Sequence, residues 1–223
     1  MSGGSTTYVY GRNPVREAQR GRRRVHRVWT RDDTDVAELT RLAGSPDHQG
    51  IVAEVDPYPY ADPRSLLDEE DALVVALDQV QDPRNLGAIC RSAEAAGAAG
   101  VVICERRAAA ITAAACKASA GAVEHLPVAH VRNLSDWIGD AKQAGAWVYG
   151  ADETAPTSFR TLDYEGRVVL VLGGEGSGLR TRVASACDAL VSIPTVGAVG
   201  SLNVSAAATV LLFAASGPRS EAG

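Results

Sequence analysis

The sequence predicts an α/β protein built on a mostly parallel sheet, preceded by a smaller unit of different composition. Three observations carry this. From residue 73 onward, apolar runs of strand length alternate with helical patterns. The runs are apolar throughout instead of alternating with polar residues, as strands covered on both faces must be. Near residue 60 the composition changes, and three prolines interrupt the chain.

Before residue 60 the strand-like runs are HRVWTR (26–31) and GIVAEV (50–55), with one short helix, DVAELTRLAG (35–44), between them. DPYPYADPRS (56–65) carries the three prolines and reads as a linker. The expected division is therefore a small basic domain at 1–60, an entry segment at 61–72 and the main domain at 73–217. In the main domain LVVAL (73–77), VVIC (101–104), WVYGA (147–151), VVLVL (168–172) and LVSI (190–193) read as buried strands. LPVAHV (126–131) is a weaker one, because Pro127 suits only its start or an edge. Asp82 followed by Pro83 supplies an N-cap and a first-turn proline, and Gly97 closes that helix. Its apolar stripe is Leu86, Ile89, Cys90 and Ala93. Ser135 opens a further helix, which Gly145 ends. The last helix starts within GSLNVSAAATVLLF (200–213), where Ser201 and Asn203 are of the residue types that cap a helix N-terminus.

At 223 residues, 46% hydrophobic and 22% charged, the chain is an ordinary globular one with enough length to bury a core. No apolar run reaches the roughly 18 residues of a membrane span. MSGGSTTYVYGRNPV at the start lacks the apolar centre of a signal peptide, so a cytoplasmic protein is expected. The glycosylation pattern at Asn203 to Ser205 loses its meaning with that expectation. Cys90, Cys104, Cys116 and Cys187 show no C-x-x-C spacing and read as small buried apolar residues. His26, His48, His125 and His130 form no metal-binding pattern, so no metal is expected. The net charge of −5 hides an asymmetry. Residues 1–31 hold eight arginines against the single acid Glu17, for +7, which leaves −12 on the remainder. Such a block is a candidate phosphate-binding footprint, with Arg12, Arg22, Arg23 and Arg24 as candidate RNA contacts; a solvated arginine-rich turn is the other reading.

In a parallel α/β sheet, ligands bind beyond the carboxyl ends of the strands. Three such ends are unusual: DQVQDPRNLGAICRSAEAAGA after the first strand of the main domain, GGEGSGL after the run 168–172, and PTVGAVGSLNVS after the run 190–193. The loop GGEGSG (173–178) is neither a P-loop nor a dinucleotide fingerprint. By itself it can also be a plain strand-to-helix turn. Glu175 would repel a phosphate there and suits a hydrogen-bonding or positively charged ligand. Arg91, in mid-helix, can be a solvated surface residue.

Together the three segments resemble the SpoU-type RNA 2′-O-ribose methyltransferases, within the larger group of knotted methyltransferases. RNLGAICRSAEAAGA (84–98), LVLGGEGSGLR (170–180) and IPTVGAVGSLNVSAAATVLLF (193–213) match its three ordered motifs, and KASAGAVEHLPVAHVRNL (117–134) matches the segment between the first and second. The resemblance implies an α/β sheet whose C-terminal segment forms a deep trefoil knot, an exception to the rule that chains do not knot. It implies S-adenosylmethionine as cofactor and a homodimer with each site near the interface. It places cofactor contacts on Gly173, Ile193 and Leu202, and functional polar roles on Asn85, Arg91, Glu175, Ser201 and Asn203. A guanidinium is a poor proton acceptor, so Arg91 suits a phosphate clamp better than a general base.

YVYGRNPVREAQ (8–19) and HQGIVAEVDPY (48–58) also resemble the opening and end of the small α+β domain, similar to a ribosomal-protein RNA-binding fold, that many members carry. Its middle is shortened here. Small domain plus main domain resembles most closely the enzymes that methylate a guanosine ribose in large-subunit (23S) ribosomal RNA. A transfer-RNA enzyme, an adenosine-directed enzyme and a catalytically inactive ribosome-assembly factor are the alternatives.

Overall fold

The computed structural model describes residues 6–220 except 177, 198 and 199. The first unit contains β1 (Thr7–Tyr10), α1 (Arg12–Arg20), β2 (Val25–Thr30), α2 (Val36–Ala43) and β3 (Ile51–Val55). Its three strands pair antiparallel in the order β1-β3-β2. The two runs and the helix expected here are present, but β1 and α1 were not among the expected elements. α1 escapes a reading by apolar periodicity because it buries only Pro14, Val15 and Ala18, while Arg12, Arg16 and Arg20 stay exposed.

The main sheet follows with β4 (Leu73–Asp78), α3 (Pro83–Ala95), β5 (Gly100–Cys104), α4 (Ala113–Ala118), β6 (Val128–Val131), α5 (Leu134–Gln143), β7 (Trp147–Ala151), β8 (Thr157–Ser158), β9 (Val168–Gly173), α6 (Thr181–Ala186), β10 (Ala189–Ser192) and α7 (Val204–Ser220). Its order is β6-β5-β4-β9-β7-β10-β8, and every pairing between these strands is parallel. β6 is an edge strand that starts directly after Pro127, so the proline's lack of an N–H costs the ladder no hydrogen bond.

The strand period of two divides the core between the faces of this sheet. Leu73, Val75, Leu77, Val168, Leu170 and Leu172 pack in one cluster with Leu86, Ile89, Cys90 and Ala93 of α3 and Ala208, Leu211 and Leu212 of α7. Val74, Ala76, Val169 and Val171 pack on the other side with Leu134, Trp137, Ile138 and Ala141 of α5. Asp82 caps α3 by accepting from the Arg84 amide at 2.8 Å. α5 is capped by Asn133 rather than Ser135: Asn133 Oδ1 accepts from the Ser135 amide and hydroxyl, so Ser135 sits inside the first turn.

The first unit is fastened to the main one through the segment after α4. Val9, Val15, Ala18, Ala53 and Val55 belong to the same buried cluster as β4 and α3. The proline-rich segment takes part as well. Tyr58 is buried and its hydroxyl donates to the carbonyls of Val123 and Leu126, and Ala61 forms a parallel bridge with Ala129 at the edge of β6. Arg22 donates to the Leu126 carbonyl at 2.8 Å. Arg23 forms an ion pair with Glu124 in which both side chains are almost wholly shielded from solvent. The expectation that Arg23 contacts RNA is therefore corrected: its guanidinium is committed to a buried carboxylate.

Among the described residues no helix is long and apolar enough to cross a membrane, and no group of residues is arranged to hold a metal. Cys90, Cys104 and Cys116 are buried, and Cys187 is partly so.

A buried pair is costly to break from one side, since the remaining charge loses its partner without regaining water. Glu124→Ala should cost about 3–5 kcal/mol in urea denaturation. The double variant Arg23→Met/Glu124→Leu should recover most of that loss. Equal losses in the two variants would show that packing, and not the unpaired charge, sets the cost.

Candidate active site

The site is built where β9, β10 and β7 end. The turn after β9 folds back on itself: a Cβ on Gly173 would lie 2.1 Å from the carbonyl carbon of Gly178, so only glycine permits this approach. Gly174 and Gly178 form an antiparallel bridge, and Gly176 and Gly178 have φ of +72° and +60°. A loop this rich in glycine has much entropy to lose, and an ion pair to a buried carboxylate anchors its far end. Asp78, the last residue of β4, has a fully buried side chain. Its Oδ1 accepts from Arg180 Nε at 2.7 Å and faces Nη2 at 2.6 Å, and its Oδ2 accepts from the Arg180 amide at 2.9 Å. Every oxygen of this carboxylate is therefore occupied by the residue that opens α6.

Asn85, Glu175 and Asn203 come from three separate motifs and meet. Asn203 lies immediately before α7, and its Oδ1 accepts from the Ser205 amide at 2.9 Å and the Ser205 hydroxyl at 2.6 Å. This cap turns the amide nitrogen the other way, where it donates to Glu175 Oε1 at 2.9 Å and to Asn85 Oδ1 at 3.2 Å. Asn85 Nδ2 donates to the same Glu175 oxygen at 2.5 Å. The amide orientations agree all round the ring, each oxygen meeting a donor. Asn203 is thus both the helix cap and part of the site.

A cavity of about 600 Å³ opens beside this network. Gly173, Glu175, Ile193, Ser201, Leu202 and Asn203 line it, as the sequence placed them on one site. Asn85 is buried behind the lining and reaches it through Glu175 and Asn203. Arg91 is exposed on α3 and does not line the cavity. Ser177, Ala198 and Val199, which fall within the second and third motifs, lie outside the described residues.

The third wall of the cavity comes from Asp152, Glu153 and Thr154, beyond β7. The sequence reading named the ends of β4, β9 and β10 and passed over this one, although GADET is an acid-bearing turn at the end of a buried strand. Asp152 Oδ1 accepts from the Thr154 hydroxyl at 2.7 Å and the Thr154 amide at 2.8 Å. Those two bonds hold the Asp152 carboxyl below the ordinary carboxylate range, so it is ionised at neutral pH. The described lining then carries Asp152, Glu153 and Glu175 and no lysine, arginine or histidine.

The comparisons with known proteins agree with this geometry. The family model described as the SpoU rRNA Methylase family matches residues 72–213. A Bacillus subtilis (strain 168) protein named as a putative TrmH family tRNA/rRNA methyltransferase, YacO, is 38% identical over 232 residues, which cover 92% of this chain and 93% of that one. The SpoU methyltransferase AviRb from Streptomyces viridochromogenes, solved in complex with AdoMet, superposes with a TM-score of 0.82 at 27% identity, over 96% of this chain and 90% of that chain. An AdoMet-bound rRNA methyltransferase from Sinorhizobium meliloti does so with a TM-score of 0.83 at 27% identity, over 94% and 86%. A parallel sheet with three strand ends converging on one cavity, and this agreement over most of the chain, lead to one conclusion: the protein belongs to the SpoU rRNA methylase family.

Proposed function

We propose that the protein transfers the methyl group of S-adenosylmethionine to a ribose 2′-hydroxyl of RNA, most specifically a guanosine of large-subunit (23S) ribosomal RNA. The observation that carries the reading is the Asn85–Glu175–Asn203 network at the wall of an anionic cavity. The cavity fits the cofactor. Its volume is within the usual 300–1,000 Å³ of a small-molecule site. At Gly176, Gly178 and Gly200 a Cβ would project into open space, so bare backbone is presented there. Three carboxylates without a cation suit a ligand with a positive centre, and S-adenosylmethionine supplies an electrophilic methyl on a sulfonium. AdoMet in the two structural neighbours supports the same choice.

The chain's own part is alignment and charge. An in-line displacement depends on holding the ribose oxygen in register with the methyl, and the two asparagines fix the loop that would set that register. Glu175 Oε1 is occupied by two amide donors, which makes Glu175 a positioning residue in this reading. Gly173, Ile193 and Leu202 hold the cofactor, chiefly through backbone. Ser201, exposed in the lining with no protein partner among the described residues, meets substrate or cofactor in this reading. Arg91 holds a substrate phosphate and steadies the charge that develops on the attacking oxygen.

The same proposal includes the knotted path of the loops after β9 and β10, a homodimer, a cytoplasmic setting and an RNA-binding role for residues 1–60. Exposed Leu202, Phe213 and Val196 beside the site and on α7 support the dimer. Arg12 and Arg24 are exposed, whereas Arg22 is partly spent on backbone carbonyls. The ribosomal target is supported by the Sinorhizobium rRNA enzyme, which aligns with 94% of this chain, the small first unit included.

Mass spectrometry of ribonucleosides from a deletion strain tests the reading. Loss of one 2′-O-methylguanosine from large-subunit RNA, restored by the wild-type gene, is expected. Loss from transfer RNA, or of a methylated adenosine, would change the target, and no lost methyl would favour an assembly factor.

Asn203→Ala should cost about 0.5–2 kcal/mol by removing the cap, and should also reduce methyl transfer. Asn203→Ser keeps a capping oxygen and loses both amide donations, so stability should hold near wild type while turnover falls about tenfold or more. Asp152→Asn preserves the acceptor that Thr154 uses and removes one charge. Calorimetry should show affinity for S-adenosylmethionine weakened about three- to tenfold and affinity for uncharged-sulfur S-adenosylhomocysteine unchanged. Equal weakening of both would assign Asp152 a purely structural role.

A further inference from the structure

The arginines at the other half of the catalytic rim have no part in the fold. β4, β5 and β6 are adjacent and parallel, and their carboxyl ends lie in register: Leu77 pairs with Ile103, and Cys104 with Val131. Beyond these ends stand Arg84 after β4, Arg106 and Arg107 after β5, and Arg132 after β6. All four are exposed, and among the described residues none of their guanidinium groups has an ion-pair or hydrogen-bond partner. Four other arginines are held by carboxylates: Arg23 by Glu124, Arg41 by Glu38, Arg180 by Asp78 and Arg182 by Asp136. The loops are held close together, because the Ala109 amide donates to the Val80 carbonyl and the Glu105 amide to the Val131 carbonyl. Arg107 is held at φ +56°, a conformation few residues other than glycine adopt.

The rim is thus divided by charge. The ends of β9 and β7 carry Glu175, Asp152 and Glu153 around the cavity, and the ends of β4, β5 and β6 carry the four arginines. The acids at these three strand ends are Asp78, buried and paired with Arg180, Asp82, whose carboxylate caps α3, exposed Glu105, and Asp136, paired with Arg182. With strands about 4.8 Å apart, the cationic half spans on the order of 10 Å, and it adjoins the glycine loop because β4 neighbours β9. Arg91 continues the same side of α3, seven residues after Arg84.

We propose that this half of the rim is the surface on which the RNA strand lies, with Arg84, Arg106, Arg107 and Arg132 taking backbone phosphates beside the cavity. The inference rests on the RNA-directed reading above and names its contact surface in the main domain, separate from the basic block of residues 1–60. The acids around the cavity repel phosphates, so a strand can reach the methyl donor only with its phosphates displaced toward the arginines. Charge complementarity thereby sets which way the ribose faces.

The test uses the full chain with Arg106→Gln, Arg107→Asn and Arg132→Gln combined; asparagine is chosen because it tolerates positive φ. The probe is a fluorescently labelled single-stranded RNA of about 20 nucleotides, titrated between about 50 and 200 mM salt. Phosphate contacts do not depend on sequence, so the probe need not be the natural substrate. Affinity should fall about tenfold or more, and the slope of log affinity against log salt should shrink by about 0.7 per lost contact, near 2 in all. Calorimetric affinity for S-adenosylmethionine should stay at the wild-type value. If the triple variant does not fold, Arg106→Gln and Arg132→Gln are measured singly, each with an expected slope change of about 0.7. An unchanged slope in variants that fold, with wild-type RNA binding intact, would overturn the proposal and leave the methyltransferase reading standing. Wild-type protein that binds S-adenosylmethionine but no RNA at low salt would overturn both.

Discussion

One carboxylate oxygen gathers the site. Glu175 Oε1 accepts from Asn85 and from Asn203, and so joins the first turn of α3, the glycine loop after β9 and the entrance to α7. These segments are far apart in the chain. Remove the acceptor and the Asn203 amide nitrogen keeps only its bond to Asn85, while the glycine loop loses this tie to the two helices. The geometry also depends on Asn203 being a cap. Because its oxygen is claimed by the backbone of α7, its nitrogen has one direction left, and the site inherits its order from the helix.

The parallel sheet supplies the frame on which this can happen. Side-by-side β4 and β9 end at Asp78 and Gly173, which are in register, so the buried Asp78 carboxylate emerges beside the glycine loop. Its bonds to Arg180 hold the loop's exit to the strand next door. A run of glycines permits the tight return and the bare wall of the cavity at the expense of rigidity, and the ion pair offsets that loss at the one end not already tied to the sheet. Burying Asp78 without Arg180 would leave a charge in a place from which water is excluded.

How much of this was legible in the sequence follows from range. The buried strands and α3 announce themselves through local apolar periodicity and an Asp-Pro start, and all six expected strands of the main sheet are present. Residues 173, 175, 193, 201, 202 and 203, which the family resemblance singles out, follow β9 and β10 and line one cavity. What stayed hidden depends on partners far away in sequence. Arg23 looks like its neighbours in a basic block, and only the fold brings Glu124 to it. Asp78 looks like the polar end of a strand until Arg180 is beside it. α1 hides behind its arginines, and Asn133 displaces Ser135 as a cap by a choice of two residues that composition alone does not decide.

Arg91 is where sequence and structure are most instructive together. As a general base it would need to sit at the cavity and lose a proton, yet it is exposed on α3, outside the lining, and a guanidinium holds its proton at any physiological pH. Both facts point away from proton abstraction and toward a group that holds an anion at a distance from the reacting atoms. An anionic cavity makes such a group necessary. A polyanion cannot approach Glu175, Asp152 and Glu153 unless its nearest phosphates are neutralised outside the cavity, and an exposed arginine on the adjacent helix is the kind of residue that can do so. In the proposed reading, the position of Arg91 outside the cavity goes with the charge required to hold a cationic methyl donor.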